Sequence, residues 1–253
     1  MRQAVRDAWL AFTEPLEGGV PYLYADIRGL VTIAYGNLVD PMSAAINLPL
    51  RLADGTLATT AEKASAWQAV KNDPAAPRLG HRYARGLTSL RLTPEAMGEL
   101  ALGKLDANDA VLRKRMPDWE DYPACAQLAL HSLSWACGPG FHFPRLISAT
   151  QARDFDAAAV YIHMNETTPE GLKNTGLVPR NVANKILMRN AARVQAFKLD
   201  PDLLDWKHDL GVADAPTLPA VENPASQPTL HVDPSAILRP EEWLKGDPDD
   251  DAA

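Results

Sequence analysis

At 253 residues, 46% hydrophobic and 23% charged, the chain is long enough to bury a full core in one large domain or two small ones. Its formal net charge of −7 is uneven: residues 201–253 carry 12 acidic and 3 basic side chains, net −9, leaving residues 1–200 at +2. No apolar run is long enough for membrane insertion, the first twenty residues lack the continuous apolar core of a secretory signal, and +2 is too small a charge to argue for a nucleic-acid partner.

In residues 2–16, Val5, Ala8, Trp9, Phe12 and Leu16 share one face at helical spacing. Thr13-Glu14-Pro15 reads as a cap and fresh start, because proline deep in a helix breaks a hydrogen bond, and Gly18-Gly19 ends the turn. Tyr22, Tyr24 and Ile27 then lead to Gly29, and Leu30 to Tyr35 is rich in β-formers, which predicts a small hairpin. Glu17 closes the helix, while Asp26, nine residues on, and Thr32, six further, sit on the hairpin. Two carboxyls so placed can face each other across a cleft, the minimum for glycosidic bond cleavage. They can equally be two solvated charges flanking a loop.

Residues 40–90 are punctuated by Pro41, Pro49, Pro74 and Pro77, with a helix expected from about Thr59 to Lys71. The basic stretch 78–91, with Arg78, Arg82, Arg85 and Arg91, reads as a surface loop or as a substrate-facing rim. Thr93-Pro94-Glu95 has the hydroxyl cap, first-position proline and early acid of a helix start, continuing towards Leu112. Residues 124–136 are apolar nearly all round and predict a buried central helix, stopped at Gly138-Pro139. His131 on that helix reads as a packed, hydrogen-bonded core histidine rather than a catalytic base. Cys125 and Cys137, twelve residues apart on one helix, would be about 18 Å apart, too far for a disulfide, and read as free thiols. Two further helices are expected at about 144–164 and 180–198, joined by a loop, Asn165 to Pro179. Residues 201–253, acidic and proline-rich, are expected to form a largely disordered tail in which Ile237, Leu238, Trp243 and Leu244 could make one short docking segment. No phosphate-cradling loop or zinc-ligand cluster occurs, so neither cofactor nor metal is expected.

Glu17-Gly18, Tyr24, Asp26, Gly29 and the run Thr32-Ile33-Ala34-Tyr35-Gly36 resemble the active-site opening of the phage-type lysozymes, or endolysins, with every spacing kept. Residues 91–112 look like that family's helix after the hairpin, 126–141 like its buried central helix and glycine turn, and 176–191 like its closing helix. The likeness covers roughly residues 4–196. The family usually has TIGYGH or TIGIGH where this chain has Ala34 and Asn37, and paired arginines where it has Arg180-Asn181. The segment from about 40 to 90 is a longer insertion than in compact members.

The resemblance implies an α+β, mainly α fold: a lysozyme-like domain over 1–200, with a small N-terminal β-hairpin and a helical lobe around the central helix. It implies cleavage of the β-1,4 linkage between N-acetylmuramic acid and N-acetylglucosamine, with inversion. Glu17 would be the general acid, a role that requires a partly desolvated carboxyl holding its proton, and Arg180 would pair with it and oppose that. Asp26 and Thr32 would hold the attacking water, and Tyr24, Tyr35, Asn37 and Phe141 would line the sugar groove with Arg180 beside them. The expected setting is a phage endolysin or an antagonistic bacterial effector, made in the cytoplasm and acting in the periplasm or cell wall. An immunity protein or delivery adaptor on the tail is the expected protein partner. Competing expectations are a catalytically silent glycan-binding or particle-associated scaffold, and a lytic transglycosylase, which needs only the glutamate.

Overall fold

The computed structural model describes residues 1–167 and 175–211. Its architecture is α+β and mainly helical, with one small antiparallel sheet. Helix α1, Gln3–Glu17, buries Val5, Trp9, Phe12 and Thr13. The expected fresh start at Pro15 is absent: the proline lies inside the last turn of one continuous helix, where its missing N–H costs one bond and its fixed φ suits the helix. The Gly18 amide bonds the Glu14 carbonyl at 2.9 Å and its φ of 66° turns the chain away, which leaves Glu17 as the last helical residue.

Strands β1, Val20–Ala25, and β2, Val31–Ala34, form the expected hairpin, and a third, β3, Asn37–Leu38, adds to it in the order β1-β2-β3. The register sets Tyr24 opposite Thr32 and Thr32 opposite Leu38, so these three lie in one row across the sheet. The insertion then folds as α2, Met42–Ile46, α3, Thr60–Lys71, and α4, Ala76–Ala84. Thr59 and Glu62 make a reciprocal capping box at the start of α3. The surface loop expected from residue 78 is instead helical to residue 84, because Gly80 takes φ 69°, ψ −170° and lets one helical turn follow another across a kink. Both α3 and α4 pack on β1. Lys71 at the end of α3 donates to the Gly29 carbonyl at 2.9 Å and pairs with Asp40, and Trp67 donates to the Val39 carbonyl at 3.0 Å. The insertion is therefore a buttress behind the hairpin.

Helix α5, Pro94–Arg115, starts where the cap predicts, with Thr93 Oγ1 accepting from the Ala96 amide at 3.3 Å. Helix α6, Ala124–Cys137, is buried on all sides and is packed by α1, α5 and the closing helix α9, Val178–Phe197. It stops at Gly138, φ 81°. Cys125 and Cys137 are buried and form no disulfide, and burial pushes their thiols up to about 11 and about 12. The single helix expected over 144–164 is two, α7, Pro144–Gln151, and α8, Phe155–Tyr161. Arg153 is left-handed (φ 58°) between them, and the Asp154 carboxylate caps α8 by accepting from the Ala157 amide at 2.9 Å.

Composition assigned residues 201–211 to the tail, but they belong to the packed body. Trp206 meets Phe12 edge-on at 5.7 Å, the Ala124 amide donates to the Pro201 carbonyl at 2.8 Å, and Asn190 Nδ2 donates to the Asp205 and His208 carbonyls, each at 2.9 Å. Residues 212–253, with the proposed docking segment, and part of the 165–179 loop lie outside the described residues. No helix among the described residues is long and apolar enough to cross a membrane.

His131 is fully buried between the edges of Trp9 and Trp119, its Nε2 3.3 Å from Asp109 Oδ1. Trp119 Nε1 also donates to Asp109, at 2.9 Å. Burial lowers His131 from its ordinary value despite Asp109. Burial would raise Asp109, but the donors from His131, Arg113 and Trp119 outweigh it and hold the carboxyl well below the usual range. Because folding lowers His131, the unfolded chain gains the proton first as pH drops below about 6.5, so stability falls there. The Asp109 contribution persists to below about pH 4. The melting temperature should fall between pH 7 and pH 5, and that fall should vanish in His131→Gln; an unchanged slope in the variant would refute the assignment. Asp109→Ala, which strips several buried donors of their acceptor, should cost about 3 kcal/mol in denaturant titration.

Candidate active site

The site gathers where the end of α1 meets the sheet and the start of α9. Arg180, 3% exposed, bonds Glu17 Oε1 through one terminal nitrogen and the Ser132 carbonyl and hydroxyl, each at 3.1 Å, through the other. The Glu17 side chain keeps 23% of its surface exposed against 4% for Arg180, so the carboxylate sits at the mouth of the pair and the guanidinium at its base. One buried cation thereby joins α1, α6 and α9.

On the hairpin, Asp26 Oδ1 accepts from the Arg28 amide at 2.9 Å and the Leu30 amide at 2.8 Å, an aspartate-stabilised turn in which Gly29 adopts φ 74°. The Thr32 hydroxyl donates to the Leu30 carbonyl at 3.2 Å, and an oxygen that donates one proton keeps lone pairs to accept another bond. Tyr24 joins the two halves. Burial pushes its phenol well above the ordinary value, and the charges of Glu17 and then Asp26 push it further, so both carboxylates lie within electrostatic reach of one hydroxyl. Tyr24 thus feels both carboxylates, Thr32 stands opposite it in the sheet, and Arg180 bonds Glu17.

The remaining predicted residues are buried and engaged in other contacts. Tyr35 is buried, with its carbonyl accepting from Trp135 Nε1 at 3.2 Å. Asn37, 8% exposed, donates to the Leu100 carbonyl at 3.2 Å. Phe141 is fully buried, packed edge-on against Phe143 at 6.0 Å and capped by the Arg115 guanidinium at 4.6 Å, so its ring offers no surface to a groove. Asn181, in place of the family's second arginine, pairs with both the amide (3.0 Å) and the carbonyl (2.8 Å) of Met164 and fastens the chain after α8.

Three residues escaped the sequence reading. His81 on α4 stands edge-on to Tyr24 at 6.2 Å and 3.4 Å from the Tyr22 hydroxyl, so the insertion reaches the rim of the site. Burial, then Arg82, lowers it, which favours a neutral imidazole there. Trp135 and Lys104 flank the β2–β3 turn, with the lysine ammonium 3.9 Å from the indole centroid. The one partial signal was the helical spacing of Lys104 from Leu100; its neighbours come from distant parts of the chain. An open groove between α3 and residues 87–90 lies elsewhere, and none of these side chains lines it. Among the described residues no group of three or more His, Cys, Asp or Glu converges as a metal site would require.

No protein-family model matches the chain, and comparisons with curated proteins and with solved structures likewise return no match.

Ala34, where the lysozyme family carries glycine, takes φ 57° in the turn that approaches Glu17. Left-handed backbone costs a residue with a Cβ about 1–2 kcal/mol. Ala34→Gly should therefore be neutral to slightly stabilising, within about 0.5 kcal/mol in guanidinium titration, because relief of strain offsets the buried methyl and glycine's added chain entropy. A loss above about 1 kcal/mol, as in an ordinary strand, would show that the position is not strained.

Proposed function

We propose that this chain is a peptidoglycan hydrolase, a muramidase that cleaves the β-1,4 bond between N-acetylmuramic acid and N-acetylglucosamine on a lysozyme-like fold. One conjunction supports it above all. Glu17, held by Arg180 at the end of α1, shares the neighbourhood of Tyr24 with an Asp26–Thr32 hairpin, in the order and spacing of the phage-type lysozyme motif.

In this mechanism Glu17, in its acid form, gives its proton to the bridging oxygen as the bond to the anomeric carbon breaks. Asp26 and the Thr32 hydroxyl hold a water on the opposite face of the sugar. Asp26 takes a proton from that water as its oxygen bonds the anomeric carbon, which inverts the configuration. Inversion needs room for the water, about 6.5–9.5 Å between the carboxyls. Arg180 fixes one Glu17 oxygen so that the other faces the cleft, and the neutral Tyr24 hydroxyl offers a sugar a donor and an acceptor. The setting is an injected antagonistic effector or a phage endolysin acting on the cell wall, with residues 212–253 as the surface for an immunity protein or delivery adaptor.

A second proposal, a glycan-binding scaffold without turnover, draws support from the internal use of the same groups. Asp26 and Thr32 both bond to the backbone of their own turn, as they would in a purely structural hairpin. Purified sacculi separate the two. The wild-type chain should solubilise them, and Glu17→Gln should lower the rate about a thousandfold with an unchanged circular dichroism spectrum. Full activity in Glu17→Gln would remove the muramidase assignment, and binding without solubilisation by the wild type would favour the scaffold. Anhydro-muramyl products, with Asp26→Asn tolerated, would identify a lytic transglycosylase.

A further inference from the structure

Lys104 is a charged side chain that the proposed chemistry does not use. It projects from α5 to the β2–β3 turn, where its ammonium lies 3.5 Å from the Gly36 carbonyl oxygen and 3.9 Å from the centroid of the Trp135 indole. That turn is fastened around it. Trp135 Nε1 donates to the Tyr35 carbonyl, and Asn37 Nδ2 donates to the Leu100 carbonyl, one helical turn before Lys104. Gly36 also lies beside Glu17: a Cβ added there would be 4.0 Å from Glu17 Oε2. Arg180 bonds the other oxygen, Oε1.

We propose that Lys104 is a positioning residue for Glu17, its ammonium anchored on the Gly36 carbonyl and the Trp135 ring so that it steadies the Oε2 side of the carboxyl while Arg180 holds Oε1. The inference rests on Glu17 being the reacting acid of a muramidase. Two charged groups act on Lys104, Glu17 from α1 and Arg180 from α9; α6 presents the indole and the β2–β3 turn a carbonyl. Burial lowers Lys104 most, Glu17 recovers part of that, and Arg180 lowers it again, to about 8. An ordinary lysine keeps its charge to about pH 10.4. Here the charge beside Glu17 is present below pH 8 and disappears as pH rises through it, so the hold on the carboxyl slackens within a range in which most enzymes can be assayed.

The test uses the full chain and two variants: Lys104→Met, which keeps the aliphatic stem on Trp135 without the charge, and Lys104→Arg, which keeps the charge at every accessible pH. The first readout is independent of turnover. With glutamate side chains labelled at the carboxyl carbon and the Glu17 signal assigned by its loss in Glu17→Gln, that resonance should show an inflection near pH 8 in the wild type, absent from both Lys104 variants. The second readout is sacculus hydrolysis. At pH 7, Lys104→Met should lose about tenfold in kcat, the scale of one partly screened charge contact, with KM within about twofold, and Lys104→Arg should recover most of it. Wild-type kcat should fall above pH 8, and Lys104→Arg should hold its rate there. An inflection that persists in Lys104→Met, its absence from the wild type, or wild-type kcat in Lys104→Met would overturn the positioning role and leave the muramidase assignment standing. A clear inflection in a wild-type chain that cleaves no sacculi at any pH would remove the muramidase assignment and retain the Lys104–Glu17 coupling.

Discussion

The arrangement depends on one desolvated cation. Arg180 is almost wholly buried, and a buried guanidinium is tolerable only if each face finds an acceptor. It finds them on Glu17 and Ser132, which belong to different helices, and so it sets where α1 ends relative to α6 and α9. Removing either acceptor would strand a charge, whereas removing an apolar contact would only loosen packing. This asymmetry makes an acceptor oxygen at position 17, which glutamine would still supply, a structural requirement beside the candidate acid role. The remaining core arranges itself around this constraint: α6 is apolar all round because every neighbouring element presses on it, and it opens to polar groups at Ser132 and His131.

Side-chain amides take over where regular secondary structure ends. Asn181 bonds the Met164 backbone in the manner of a strand partner, Asn190 gathers three backbone groups of residues 205–210, and Asn37 joins the sheet to α5. Each lies within or against a helix and satisfies irregular backbone that burial would otherwise leave without partners. The helical insertion plays a similar part for the hairpin. With Lys71 on the Gly29 carbonyl and Trp67 on the Val39 carbonyl, the turn that bears Asp26 is held from behind by α3.

Much of this was legible in the sequence where the signal is local. The capping box at Thr59, the Thr93-Pro94 start of α5, the all-round apolar pattern of α6 and its glycine stop all act within a few residues. So does the Gly29 turn, while Arg180 bonds Glu17 and Tyr24 stands opposite Thr32. What escaped depends on distant partners or on backbone states with no residue signature. Arg153 splits α7 from α8 in a left-handed conformation that usually belongs to glycine, Gly80 carries a helix through a kink instead of ending it, and residues 201–211 are held by Asn190 and Phe12 despite their tail-like composition. Phe141, a groove aromatic only by the resemblance, is enclosed by the Arg115 guanidinium and Phe143. Lys104 gains its place only from the fold, which sets it beside Trp135.

The Glu17–Arg180 pair spans 163 positions of sequence. Closing so long a loop is entropically expensive, and contacts of that range form late, after local helices and the hairpin. During synthesis α1 and the sheet leave the ribosome long before α9 exists, so a nascent or truncated chain that stops short of residue 180 carries Glu17, Asp26 and Thr32 without the cation that seats the first of them. A chain that stops short of residue 180 thus lacks the partner that seats Glu17, and α9, the last helix among the described residues, supplies it.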